Sequence, residues 1–152
     1  MRKLLILLGL LLLVACGSES SKSIDVEEFE SKVIEAVKQM DTDFEIVSNT
    51  ENEDGTYTIM VSDNAGFIID GNKVSASYLT PYNNDEVIQL FTILIGCVDD
   101  TLSFGDRNLV INDLGIRGDI DITDYTKVVT HNDIQYTVHG DSDAIILQAE
   151  IK

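Results

Sequence analysis

Aspartate is the residue type whose spacing first suggests chemistry, with groups at Asp41 and Asp43, at Asp119, Asp121 and Asp124, and at Asp141 and Asp143. Carboxylates spaced like this in loops are the oxygen donors that calcium gathers. The helix–loop–helix calcium motif also requires glycine at its sixth position and glutamate at its last. Counting from Asp41 the sixth residue is Ile46, counting from Asp119 it is Asp124, and the closing glutamate is missing from both. Turn and capping roles account for these aspartates more simply, and no metal ligand is assigned.

The two histidines, His131 and His139, flank Asn132-Asp133. A tight turn there pairs His131 with Ile134 and leaves His139 far along the ladder, so the two are not expected to share a metal. Cys97 sits in the apolar run from Val87 to Val98; no His or Lys stands within a helical turn of it to stabilise a thiolate, which favours a buried, inert thiol. There is no His-Glu-x-x-His, no Gly-x-Ser-x-Gly and no phosphate-cradling glycine loop. With 27 acidic residues any chosen carboxylate pair is uninformative. No catalytic residue is assigned and no enzyme is expected. Arg117-Gly118-Asp119 matches the tripeptide displayed by integrin ligands, but three fixed letters recur readily by chance and a plain turn is the simpler reading.

The other cysteine, Cys16, stands in a different context. Met1-Arg2-Lys3 is a short cationic start, and Leu4 to Val14 contains only Leu, Ile, Val and Gly before Ala15 and Cys16. A basic start, an apolar run and small residues make a secretory signal layout. The apolar run is too short to span a hydrocarbon core, which takes about twenty helical residues. Leu13-Val14-Ala15-Cys16 resembles the lipobox of bacterial lipoproteins. The resemblance, which covers residues 1–16, implies cleavage between Ala15 and Cys16 and diacylglycerol on the Cys16 sulfur. Two acyl chains anchor stably, each buried methylene contributing about 0.8 kcal/mol. A signal peptide over 1–15, a lipidated and flexible tether over 16–23 and a single domain over 24–152 follow. Gly17 to Ser23 is small and polar, with a root-mean-square reach of about 15 Å, so the domain is expected close to the bilayer on the extracytoplasmic face.

The full chain carries 10 basic and 27 acidic residues, net −17. Without Arg2 and Lys3 the balance is 8 against 27, or −19. This charge excludes nucleic acid, whose binding needs cations to displace counterions. It also repels anionic headgroups, which leaves the lipid as the membrane contact. No cofactor is expected beyond that covalent diacylglycerol, and a lipidated Cys16 leaves Cys97 without a disulfide partner.

The elements that must carry these residues alternate in kind. Asp25 with Glu28 has the spacing of a capping box, with Ile24 and Phe29 as its staple, and Val26, Phe29, Val33, Ile34, Ala36, Val37 and Met40 form an apolar stripe of helical period. From Phe44 to Thr80 the period becomes two, with Asp54-Gly55 and Asp70-Gly71 as hairpin signals; strands are expected over 44–49, 56–62, 66–70 and 73–79. Pro81 closes this meander. Asn83 and Glu86 repeat the capping pattern, with Tyr82 and Val87 as staple, and a helix near 84–101 is apolar on most sides, which places it at the centre of a core. A shorter helix is expected around Asp106 to Leu114, closed by Gly115. Strands then return at Lys127 to Thr130, Ile134 to Val138 and Ile145 to Ile151.

Segregated helical and strand blocks imply an α+β fold. An antiparallel sheet of about six or seven strands is expected, with two main helices on one face and two helix-plus-meander halves. The function expected of such a chain is that of a lipid-anchored, non-catalytic interaction module of the cell envelope, acting on a protein partner at the membrane. The alternatives are a small-ligand- or calcium-binding lipoprotein and, less favoured, an envelope enzyme. A concave apolar pocket with convergent polar groups would favour the small ligand. The address itself is testable: Cys16→Ala should remain uncleaved or leave the membrane fraction, while wild-type protein takes up labelled fatty acid. Wild type that takes up no label contradicts it.

Overall fold

Three helices and seven strands make up the described residues of a computed structural model, which are 23–81, 83–116 and 124–152. The first helix, α1 (Val26–Met40), starts where the Asp25 carboxylate accepts the Glu28 N–H at 2.9 Å and stops at Asp41 in the left-handed region, φ 51°. A meander of four strands follows: β1 (Ser48–Glu51), β2 (Tyr57–Met60), β3 (Ala65–Asp70) and β4 (Lys73–Leu79). The turn between β3 and β4 has only Gly71 and Asn72 in it, and Gly71 at φ 59° takes the backbone form that a side chain would strain. The second helix, α2 (Asn84–Val98), is capped by Asn83, whose side chain accepts the Asp85 N–H at 3.0 Å and donates to Glu86 at 3.2 Å. Helix α3 (Phe104–Asp113) precedes β5 (Tyr125–His131), β6 (Ile134–Gly140) and β7 (Ala144–Ile151). Asn132 and Asp133, both at positive φ, form the tight turn between β5 and β6.

The strands lie in the order β1-β2-β3-β4-β7-β6-β5, antiparallel throughout. Each meander follows its own helix, and the two join where β4 pairs with β7 from Lys73↔Glu150 to Leu79↔Ala144. The fold is α+β with a helix-plus-meander in each half, as the segregated blocks predict.

All the helices lie on one face. Alternate strand residues are sealed beneath them: Ile59, Phe67, Ile69, Val74, Ala76, Tyr78, Tyr136, Val138, Ile145, Leu147 and Ala149 are each at most 3% exposed. Helix α2 lies over β4 and β7 with α1 and α3 on either side. Val87, Leu90, Phe91, Thr92, Ile93, Leu94, Ile95 and Cys97 are buried along it. The Phe29 ring of α1 meets the Phe67 ring of β3 edge-on at 5.6 Å.

Element boundaries differ from the sequence reading for local reasons. The first strand begins at Ser48 rather than at 44, although Glu45 and Val47 already donate to Val61 and Met60 at 3.1 and 2.8 Å while Phe44 turns into the core. Helix α2 ends at Val98 instead of 101 because the Asp99 carboxylate captures the Thr101 N–H and hydroxyl, at 3.1 and 2.6 Å. Helix α3 starts two residues early because Ser103 and Asp106 form a cap, the serine oxygen accepting the Asp106 N–H. Strand β5 extends beyond 127–130 to pair fully with β6.

The one-sided burial carries a stability test. Leu94→Ala, under the sheet-facing side of α2, should cost about 3 kcal/mol. Ile68→Ala, on the opposite side of the sheet at 43% exposure, should cost under about 1 kcal/mol. Urea titration of the purified protein reads both, and equal losses would contradict an open outer face.

Candidate functional site

Leu13, Val14, Ala15 and Cys16, with the tether as far as Lys22, lie outside the described residues, as do Tyr82, Arg117-Gly118-Asp119 and Asp121. Residues 23 and 24 are held against the β3–β4 turn. The Ile24 N–H donates to the Gly71 carbonyl at 2.8 Å and the Ser23 hydroxyl approaches the same oxygen. The β3–β4 turn therefore marks the end of the sheet at which residues 23 and 24 join it. Asn72 exchanges hydrogen bonds with Ile151 at 2.7 and 3.0 Å, and the Lys152 N–H reaches Asp133, so the last strand and the β5–β6 turn share that end.

Several of the described aspartates serve the backbone. Asp41 ends α1, and Asp124 stands at positive φ just before β5. Asp141 Oδ1 accepts the N–H groups of Asp143 and Ala144, which holds its carboxyl below the ordinary range. Asp54 is lowered in the same way by the hydroxyl and N–H of Thr56. Among the described residues, no three His, Cys, Asp or Glu side chains gather as a metal ion would need. His131 pairs with Ile134 and its Nε2 lies 3.1 Å from Asp113 of α3, whereas His139 pairs with Thr126 on the opposite face of the sheet. Asp99, 5% exposed, receives the Asn132 amide at 2.9 Å as well as Thr101, and so latches the end of α2 to the β5–β6 turn. Nothing in the sequence pattern marked it as buried.

Cys97 is buried and unpaired. Burial pushes its thiol up to about 12, and that outweighs Lys32 of α1 and Arg107 of α3, which favour the thiolate. Both cations arrive from other helices, so the spacing around Cys97 within α2 carries no sign of them. Burial decides the outcome: the thiol stays protonated and shielded.

The open face of the sheet has a composition unlike the rest of the chain. Strand register fixes its rows. One row runs Ser48, Met60, Gly66, Ser77, Ile146, His139, Thr126; the next runs Thr50, Thr58, Ile68, Ser75, Gln148, Thr137, Val128. These two rows carry no carboxylate and a single titratable group, His139, in a chain of net charge −17. Charge returns at the borders: Asp70, Lys73 and Glu150 lie side by side in the row beside the β3–β4 turn, with Lys73 reaching Glu150 at 3.7 Å, and at the other border Asp141 Oδ2 lies 4.0 Å from His139 Nε2. Ile68 and Val128 stand 43% and 50% exposed in the neutral band. The outward positions of each strand were available in the sequence; assembling them into rows required the strand order.

Comparisons with protein-family models, with curated proteins and with solved structures find no match.

Cys97 offers a direct check on this packing. At pH 8 a thiol-reactive dye should label it no faster than the domain opens, and promptly once urea unfolds the protein. Prompt labelling of the folded protein would contradict its burial.

Proposed function

We propose that this chain is a lipid-anchored, non-catalytic interaction module on the extracytoplasmic face of a bacterial cell membrane, and that it holds a protein partner against the open face of its sheet. The observation that carries the reading is the pair of carboxylate-free rows. Burying an unpaired carboxylate in an interface is costly, and the cores of protein interfaces are depleted of charge. The strands that build these rows keep the acids of a strongly acidic chain off a broad surface that none of the described helices covers. Seven strands at about 4.8 Å spacing and rows about 7 Å apart make a neutral band of roughly 400 Å². That is the right size for the core of a standard interface, which buries about 800 Å² per partner, with the Asp70–Lys73–Glu150 row as part of its rim.

Anchorage supports the same reading. The tether joins beside the β3–β4 turn, so a lipid on Cys16 holds that end at the bilayer, with the strands rising away from it. The neutral band then stands upright, above the charged row, and faces a neighbour on the same membrane. The acidic surface is repelled by anionic headgroups, which keeps the domain from lying flat.

The experiment is cross-linking of the full-length lipoprotein in native membranes with identification of what is attached, comparing wild type with a Ser75→Glu, Thr137→Glu variant. Both positions lie beside Gln148 in the middle of the band. The variant should keep its melting temperature when purified and lose at least about tenfold in cross-linked partner, the effect of desolvating charge at an interface core. Undiminished capture by the variant, with loss in Cys16→Ala, would place the partner on another surface.

A further inference from the structure

Helix α2 has one sector that neither the sheet nor its neighbouring helices seal. At 3.6 residues per turn its buried side chains occupy every direction except that of Gln89 and Gly96. Above this strip, between α1 and α3, lies a hollow of about 460 Å³. Its walls are apolar at Met40, Ile88 and Phe104, the last an aromatic ring left 57% exposed, and Gln89 and Gln39, whose amide donates to Glu35 at 2.9 Å, also line it. The volume and the mixture of apolar wall with a few polar groups are those of small-ligand sites.

Arg107 stands at the inner end of the hollow. Its guanidinium lies flat on α2 at Gly96, where a Cβ would come within 2.3 Å of Cζ and Nη1. Glycine in a helix is unfavourable by roughly 1 kcal/mol relative to alanine, and here its missing side chain is the space the guanidinium fills. The Arg107 Nε donates to the Leu102 carbonyl at 3.3 Å, which fixes the plane of the group. Among the described residues no carboxylate lies within ion-pairing distance of it, while Lys32 nearby is paired with Glu28 at 2.7 Å and Asp100 at 3.7 Å. A half-buried, oriented guanidinium with no ion-pair partner among the described residues presents the fork that binds a carboxylate in two-pronged fashion.

We propose that this hollow is a binding site for a monocarboxylate with an apolar body, the carboxylate on Arg107 and the body between Met40, Ile88 and Phe104. One negative charge is what the surroundings admit: Glu35 and Asp100 line the adjoining hollow on the far side of Arg107 and oppose a polyanion. The site is separate from the open sheet face, being on the opposite side of the molecule, and stands or falls independently of the partner proposed there.

The test is calorimetric titration of the full-length protein in nanodiscs, against empty nanodiscs, with 3-phenylpropionate, its neutral amide and inorganic phosphate. One equivalent of the carboxylate should bind, with the amide and phosphate at least about tenfold weaker, since the charge-assisted fork supplies the selectivity. Arg107→Gln should lose the same factor, and Arg107→Lys should recover only part of it because the planar fork is gone. Gly96→Ala provides a variant whose fold is not at risk, as the group its Cβ displaces is the end of a flexible side chain; it should weaken binding as Arg107→Gln does while melting no lower than wild type. Equal binding of carboxylate and amide, undiminished binding by Arg107→Gln and Gly96→Ala, or no saturable binding of the carboxylate at millimolar concentration would each overturn the proposal.

Discussion

The eight buried side chains of α2 point in more directions than a single sheet can cover, and their burial organises the rest of the molecule. Removing apolar surface from water contributes roughly 25 cal/mol per Å², so a helix of this composition is stable only when enclosed. The join of β4 and β7 supplies its floor, and α1 and α3 supply its sides. Both meanders are needed to make a floor wide enough, which is why the two halves share one sheet. Once the three helices of the described residues are committed to that face, none of them is left for the other.

The chemistry of the two sides follows from this asymmetry. Inward strand positions take large apolar residues that interlock with α2, whereas outward positions are free of packing demands and hold Ser, Thr and Gln with a few aliphatic residues. Most of the described acids sit in turns, caps and helix surfaces, with Glu51, Asp70 and Glu150 in strands as exceptions, and Asp25, Asp41, Asp99 and Asp141 each have a backbone or side-chain partner or a turn to make. Charge is thus concentrated around the edges and the helical layer, and the sheet presents a neutral surface within an acidic molecule. The same enclosure leaves the Gln89–Gly96 strip of α2 as the gap in which Arg107 settles.

Much of the fold was legible in the sequence because its signals are local. Capping pairs at Asp25 and Asn83, hairpin glycine at Gly71 and the Asn132-Asp133 turn each report on a few neighbouring residues, and the structure has a matching element at each, while the change of period at residue 44 precedes the first strand by four residues. The uniformly apolar α2 pointed to its own central position. What was not legible depends on distant parts of the chain meeting. Lys32 and Arg107 near Cys97, the latch from Asp99 to Asn132, and Arg107 resting on Gly96 join residues from separate elements. The neutral band was hidden for the same reason: each strand contributes only two of its residues, and strand order, with β7 between β4 and β6, could not be read from spacing.

Covalent footprinting of the outward side chains tests the central claim, that the uncovered face of the sheet is where this protein is engaged. Radical labelling of Met60, Ile68 and Val128 would be measured on the full-length protein in native membranes and on the same protein after purification. The account requires these positions to be shielded in the membrane and labelled once purified, with Phe104 and Leu109 on the helical side changing little. Equal labelling of the sheet face in both states, with protection appearing on the helices instead, would contradict it.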